Sequence, residues 1–452
     1  MRPGFIALLG LVAPGFAGCA TTLPIPSHQP VVDEVAYTTQ HPYYLEFCAL
    51  SEIQKKPGYG ADIRGGVGGH STIYLNGVCR IGDGYPEIEV CADEPASNGL
   101  GLSVNAHFAN ANWVAIPGRD FFYHGDVKPG QPLTRAVYDA TKAHAKQLGI
   151  YDGIRFHPRV FEDMPAGFTK ENFEYEVSIA TDYAISYGRD RYCARVPVSK
   201  VQMTRIADYL NGLNRPYRDG KAEYDWGVLT DNCIHVAHNA LTAIGFWPPW
   251  TTGRFVLISA FDFPVPKNEF VNIMRRANDM PIDGLLAIWN DLPARRAMLA
   301  GEGLPLREGA LATYDRVVRE NAVYETDLQL IFYDEPVFGP YEGWYRQIIS
   351  EPRYSDPRAD TRYFGRLYAR VEAERRPLSW WLHNHPALAY DRDFPRFYAR
   401  FYEEVARSAA QIAPPANTGS ANTGSASTGS ASTGSGISAS GAGTGDADRV
   451  GG

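Results

Sequence analysis

The sequence predicts an α+β fold, with an antiparallel sheet packed on a cysteine-bearing helix and a mainly helical C-terminal region. Three observations carry that expectation. Short runs rich in β-forming residues, separated by Gly, Pro and Asn-Gly breaks, recur between His70 and Ile116. A helix start with a cysteine in its first turn follows at Asp231-Asn232-Cys233-Ile234-His235. From Thr251 to about Ile412 helical periodicity dominates, with many Arg and aromatic side chains.

At 452 residues the chain exceeds one ordinary core, which predicts two folded regions and tails. A hydrophobic content of 44% is enough to fill both. The net charge of −8, with no long basic stretch, gives no reason to expect nucleic acid as a partner.

Residues 1–19 read as an export signal: Arg2 supplies positive charge, Phe5 to Val12 a short apolar core, and Pro14 to Ala20 the small residues of a cleavage region. The apolar run is too short to span a bilayer. Phe16-Ala17-Gly18-Cys19 resembles the lipobox of bacterial lipoproteins, whose cysteine is lipidated, with Phe16 where Leu is usual. Ordinary secretory cleavage nearby is the alternative. Ala20 is not the Asp that tends to retain such proteins at the inner membrane. The resemblance implies an outer-membrane lipoprotein facing the periplasm, anchored through Cys19. Residues 20–35, rich in Pro and Thr, read as a tether.

Residues 36–250 read as the first folded region. Gly68-Gly69 precedes a β-rich run from His70 to Ile81, interrupted at Asn76-Gly77. Glu87 to Cys91, Leu100 to His107 and Trp113 to Ile116 are further strand candidates, and Leu133 to Leu148 reads as a helix. Glu174 to Ala184 and Tyr192 to Val198 look extended. Ser199 with Gln202 forms a capping box ahead of Met203, Ile206, Ala207 and Leu210 on one helical face. The Cys233 helix comes next, with Thr230 or Asp231 as its cap and Gly245 and Pro248-Pro249 as its stop. In residues 251–412, Phe394, Phe397, Tyr398, Phe401, Tyr402 and Val405 form an aromatic stripe expected to be core. Residues 413–452, a recurring Ala/Gly/Ser/Thr pattern, cannot bury enough surface to offset chain entropy and are expected to be disordered.

A cysteine in a helix's first turn meets unpaired N–H groups and the positive end of the macrodipole, which favours thiolate over thiol. A cysteine nucleophile also needs a base and a group that fixes the base. Of eleven histidines, His70 has the best context, opening a strand on which alternation places His70, Thr72 and Tyr74 on one face. A His-x-x-x-Tyr-Leu strand followed much later by Asn-Cys-x-His at a helix start resembles the circularly permuted NlpC/P60 superfamily, a papain-like fold. Its lecithin:retinol acyltransferase branch carries a similar segment. The chain is also similar to DUF4105, a bacterial family of periplasmic domains of uncertain activity. The resemblance covers roughly residues 60–250. It implies Cys233 as nucleophile, His70 as base, and the Cys233 N–H as part of an oxyanion hole. The acyltransferase branch has a second histidine on the next strand. Here that strand offers Glu87 and Glu89, and His107 comes later, so these are the third-member candidates.

Six cysteines fit this reading: with Cys19 lipidated and Cys233 free, Cys48, Cys79, Cys91 and Cys193 remain for disulfides in an oxidising compartment. Cys79 with Cys91 is the most economical pair, since both lie on apparent neighbouring strands; six small buried hydrophobes are the alternative. His235, His238 and Cys233 match no zinc signature, so neither metal nor cofactor is expected. Arg119-Asp120 and Arg189-Asp190-Arg191 read as solvated ion pairs. The function expected is a cell-envelope cysteine hydrolase or acyltransferase acting on an amide or ester, peptidoglycan peptides first and lipid acyl chains second. The alternative is a non-catalytic envelope lipoprotein that keeps the papain-like fold as a binding scaffold.

Overall fold

A computed structural model describes residues 20–22, 32–58, 69–82, 84–91, 99–253, 265–304, 307–327, 331–333 and 339–412. The expected signal and lipobox over 1–19 with Cys19, most of the tether, and the tail over 413–452 lie outside the described residues.

The chain is α+β. Strand β1 (Ala20–Thr22) and helix α1 (Glu34–Gln40) lead to β2 (Tyr44–Leu50), β3 (His70–Asn76), β4 (Val78–Arg80), β5 (Ile88–Val90), β6 (Leu100–Ser103) and β7 (Val114–Pro117). Helices α2 (Arg119–His124), α3 (Arg135–Gln147) and α4 (Lys170–Ser178) precede β8 (Arg191–Pro197). Then come α5 (Lys200–Arg218), α6 (Cys233–Thr242), α7 (Pro266–Asn278), α8 (Leu285–Asn290) and α9 (Leu292–Ala300). Strands β9 (Leu311–Asp315) and β10 (Ile331–Tyr333) are followed by α10 (Tyr341–Ser350), α11 (Pro357–Ala373), α12 (Leu378–Asn384) and α13 (Phe394–Ile412).

Six strands form the main sheet in the order β7-β6-β3-β2-β8-β9, every pair antiparallel. β2 is central and buried along its whole length, as a strand covered on both faces must be. Cross-strand register fixes the two faces. Tyr74, Glu46 and Arg195 share one, as do Thr72, Cys48 and Cys193. That face packs on α2, where the Tyr123 ring lies 6.1 Å from that of Tyr74. Ala49, opposite Ser71 and Tyr192, belongs to the other face. There Tyr192 meets Phe270 of α7, and α6 crosses β3. The sheet is therefore the middle of three layers.

Gly77 ends β3. Its φ is +78°, and a Cβ there would come within 2.8 Å of the Pro42 carbonyl, so the Asn76-Gly77 break is set by glycine. Beyond it β4 and β5 make a separate hairpin, cross-linked by Cys79–Cys91 as expected. The second disulfide, Cys48–Cys193, joins directly opposed residues of β2 and β8.

Two elements depart from the sequence reading. Residues 170–178 are helical rather than extended. Thr169 caps the start by accepting from the Asn172 N–H, and Phe173, Glu176 and Val177 are buried at helical spacing. Arg119 and the Arg189-Asp190-Arg191 run are not solvated pairs. Arg189, Asp190 and Arg191 are buried, and Arg119 bonds the fully buried Glu46 carboxylate. That carboxylate also takes Arg195 Nε at 2.9 Å and the Tyr123 hydroxyl at 3.0 Å.

All described residues belong to one compact unit. Within it the first hydrophobic cluster surrounds the sheet, and a second is built from α8, α9, α11 and α13. The stripe Phe394, Phe397, Tyr398, Phe401, Tyr402 and Val405 is core of that second cluster. The main sheet draws on residues past 250 as well: β9 is its edge strand and α7 its cover. Ala20–Thr22, within the expected tether, pairs with β10.

Candidate active site

The Asn-Cys-x-His segment is first of all a way to start a helix. Asn232, not Thr230 or Asp231, is the N-cap. Its side-chain oxygen accepts from the N–H of Ile234 (2.8 Å) and of His235 (3.2 Å). In return His235 Nδ1 accepts from the Asn232 N–H at 3.2 Å. This is a capping box with histidine in the place usually held by Glu or Gln. Burial holds the His235 imidazole neutral, its pKa lowered to about 4, which keeps Nδ1 an acceptor. Between the two caps Cys233 is fixed at the first helical position. Asn232→Ala is expected to lower stability by about 1 kcal/mol, read as a drop in urea midpoint at unchanged slope.

A second clamp holds α6 to α7. The His238 ring is sandwiched between Trp247 (4.3 Å) and Trp250 (3.7 Å), both nearly parallel to it. Its Nδ1 meets Glu269 at 2.8 Å and its Nε2 the Pro248 carbonyl at 2.9 Å. His238 thus spends both ring nitrogens on packing. Elsewhere Glu46, Cys48 and Cys193 cluster tightly enough to suggest a metal, but the two sulfurs are joined in a disulfide.

Cys233 is the one free thiol among the described residues. Burial pushes its pKa up. Against that act the Ser71 hydroxyl and N–H, its own N–H, and the charge of Arg189. The Ser71 hydroxyl faces the sulfur without completing a well-formed hydrogen bond. The helix start alone favours thiolate, but here desolvation outweighs it and the resting group is the thiol.

The strand residue facing the sulfur is thus Ser71, the neighbour of His70. Alternation carries the His70 imidazole to the α2 side of the sheet. Part of His70 is solvent-exposed, yet its Nε2 is shut away and has no partner. Burial, then Arg189 and Lys267, lower its pKa to about 3. His70, its imidazole neutral, thus sits on the face of the sheet opposite the one that the Cys233 helix crosses.

The third-member candidates lie elsewhere. Glu89 is exposed on the β4–β5 hairpin, beyond the far end of β3, on the order of 20 Å from His70 at the usual rise per residue. Glu87, just ahead of β5, pairs with Arg218 at 2.7 Å. The next strand of the main sheet after β3 is β6, which pairs with it directly. His107 follows β6, stacked on Phe156, and burial lowers its pKa to about 4.

Two cations that sequence reasoning did not assign to the site are present. Arg189 donates to the carbonyls of Ser51 and Ala180. Lys267, in the first turn of α7, is fully buried. Both feel the charge of Cys233. The Tyr224 hydroxyl, another neighbour of that charge, is enclosed and lacks a partner. Across the sheet a cavity of about 1090 Å³ is lined by Arg119, Arg191, Arg195, Thr313 and Asp315 among others.

No family model, no curated protein and no solved structure matches this chain.

Proposed function

We propose that this protein is a cell-envelope cysteine hydrolase or acyltransferase of the permuted papain-like type, cleaving an amide or ester through Cys233. One observation carries the reading: a free thiol fixed at a helix start by the Asn232–His235 capping box, with buried Arg189 and Lys267 near enough to feel its charge. That arrangement leaves the Cys233 N–H beside the sulfur, where the oxyanion of an acyl-transfer intermediate develops. The Cys233 N–H serves as one donor. The substrate is a peptidoglycan stem peptide in first place and a lipid acyl chain in second, and the protein faces the periplasm from a lipid anchor on Cys19.

Turnover assays on muropeptides and on acyl lipids test this. Product release is expected with one of them and is expected to fall to background in Cys233→Ala. Release that survives Cys233→Ala would overturn the proposal.

A second reading has its own support. Cys233 is only 6% exposed and burial raises its thiol, which suits a scaffold that binds rather than reacts. Cys233 then labels sluggishly with a thiol probe near neutral pH, and neither substrate class is consumed.

A further inference from the structure

We propose that Lys267, rather than His70, is the base that takes the Cys233 thiol proton, an inference that rests on the cysteine-nucleophile reading above. The Lys267 ammonium end packs directly on Gly69, so closely that a Cβ at that position would collide with it. Gly69 lies two residues before Ser71, whose N–H and hydroxyl face the sulfur. Amine and thiol therefore lie at the same corner of the sheet, carried by α7 and α6 respectively, and the amine feels the sulfur's charge. Glycine at 69 also has φ +71°, so a side chain there is excluded both by backbone conformation and by the amine.

The clamp described above keeps this corner rigid. Glu269 is in the same helical turn as Lys267, and its bond to His238 ties that turn to the Cys233 helix. The base and the nucleophile thus ride on helices joined by a buried contact, the arrangement that precise proton transfer needs.

Electrostatics agree. Burial, then Arg189, lower the Lys267 pKa to about 7, with Glu52 and Cys233 opposing. Among the described residues the charged and titratable groups around the amine are Arg189 ahead of β8, Glu52 after β2, His70 on β3 and Cys233 on α6. A lysine in this state is neutral in a large fraction of molecules near neutral pH, and a neutral amine has the lone pair a base requires. The His70 imidazole, held neutral down to about 3 and carried to the other face, is the weaker acceptor.

The S–H bond breaks and its proton moves to the Lys267 amine. The sulfur lone pair forms the C–S bond of a thioester through a tetrahedral intermediate. As the C–N or C–O bond breaks, the leaving amine or alkoxide takes the proton back from the ammonium. Water or an acceptor alcohol or amine then attacks the thioester, giving its proton to Lys267, and the departing sulfur recovers it.

Iodoacetamide alkylation of Cys233 in the full chain, followed by intact mass across pH, tests this. Wild type is expected to alkylate with a rate that rises through an ionisation near neutrality. Lys267→Met is expected to slow the neutral-pH rate on the order of 100-fold and to converge on wild type at alkaline pH, where hydroxide removes the proton instead. His70→Asn is expected to leave the profile unchanged. A Lys267→Met profile equal to wild type, or a neutral-pH loss confined to His70→Asn, overturns the assignment while leaving Cys233 as nucleophile. Should Lys267→Met fail to fold, the wild-type profile alone decides: a rate that rises only in the alkaline range overturns it. Loss of the nucleophile reading itself shows separately, as turnover that survives Cys233→Ala.

Discussion

Replacing Glu46 by alanine is expected to cost about 3–5 kcal/mol, a large part of the margin of a typical domain. Glu46 is fully buried in the central strand and bonds Arg119, Arg195 and Tyr123. Arg195 is itself buried and reaches on to Glu34 at 2.7 Å. Removing the carboxylate leaves two guanidinium groups sharing only the half-exposed Glu34, which is why the loss exceeds that of a surface pair. The pH dependence follows from the same contacts. Burial alone would raise the Glu46 pKa, but Arg119 and Arg195 outweigh it and hold the carboxyl well below the usual range. A depressed folded-state pKa gives stability that is present above the unfolded value and lost as pH falls through the folded one. Unfolding free energy should therefore fall steadily from about pH 4.5 downward, and Glu46→Gln should flatten that acid limb. Urea titrations at a series of acid pH values check both; a Glu46→Ala midpoint within error of wild type would refute the first.

The Cys48–Cys193 cross-link is the second large term. Converting both cysteines to alanine is expected to cost roughly 2–5 kcal/mol. It bridges positions 145 residues apart, whereas Cys79–Cys91 closes a loop of only 12. On the loop-entropy account the longer bridge is worth about 2 kcal/mol more, so the two double variants should rank in that order by urea midpoint. Equal losses, or the reverse order, would mean that local contacts rather than loop closure decide. The Glu46 and Cys48 effects should not add: Tyr123 bonds the one and lies 3.2 Å from the sulfur of the other.

Much of the local structure was legible. Gly77, the Ser199–Gln202 box and the start of the Cys233 helix each rest on short-range chemistry that the sequence displays directly. The Cys79–Cys91 pair was legible for the same reason, two near neighbours on one hairpin. The central strand was not. Tyr44–Leu50 is covered on both faces, so it carries no alternation to distinguish it from buried helix. The helix over Lys170–Ser178 was hidden by its β-branched and aromatic content, with only Thr169 marking its start. At the site, the position of Cys233 could be read but its surroundings could not. Which of His70 and Ser71 faces the sulfur depends on register against β2, a contact far away in sequence. Lys267 carried no signal at all, since a lone lysine ordinarily reads as surface.

The sheet's membership has a bearing on how the molecule comes into being. The cysteine and the strand facing it are complete by residue 242, but Lys267, the covering helix 266–278 and the rim strand 311–315 have yet to follow. Until that later stretch emerges, Phe47 and Tyr192 lack their cover and Arg191–Pro197 is a bare rim, open to pairing with another chain. At ordinary synthesis speeds the interval lasts some seconds. Cutting the gene after Trp250 would make that exposed interval permanent, yielding a fragment that holds the nucleophile but sticks to its own kind.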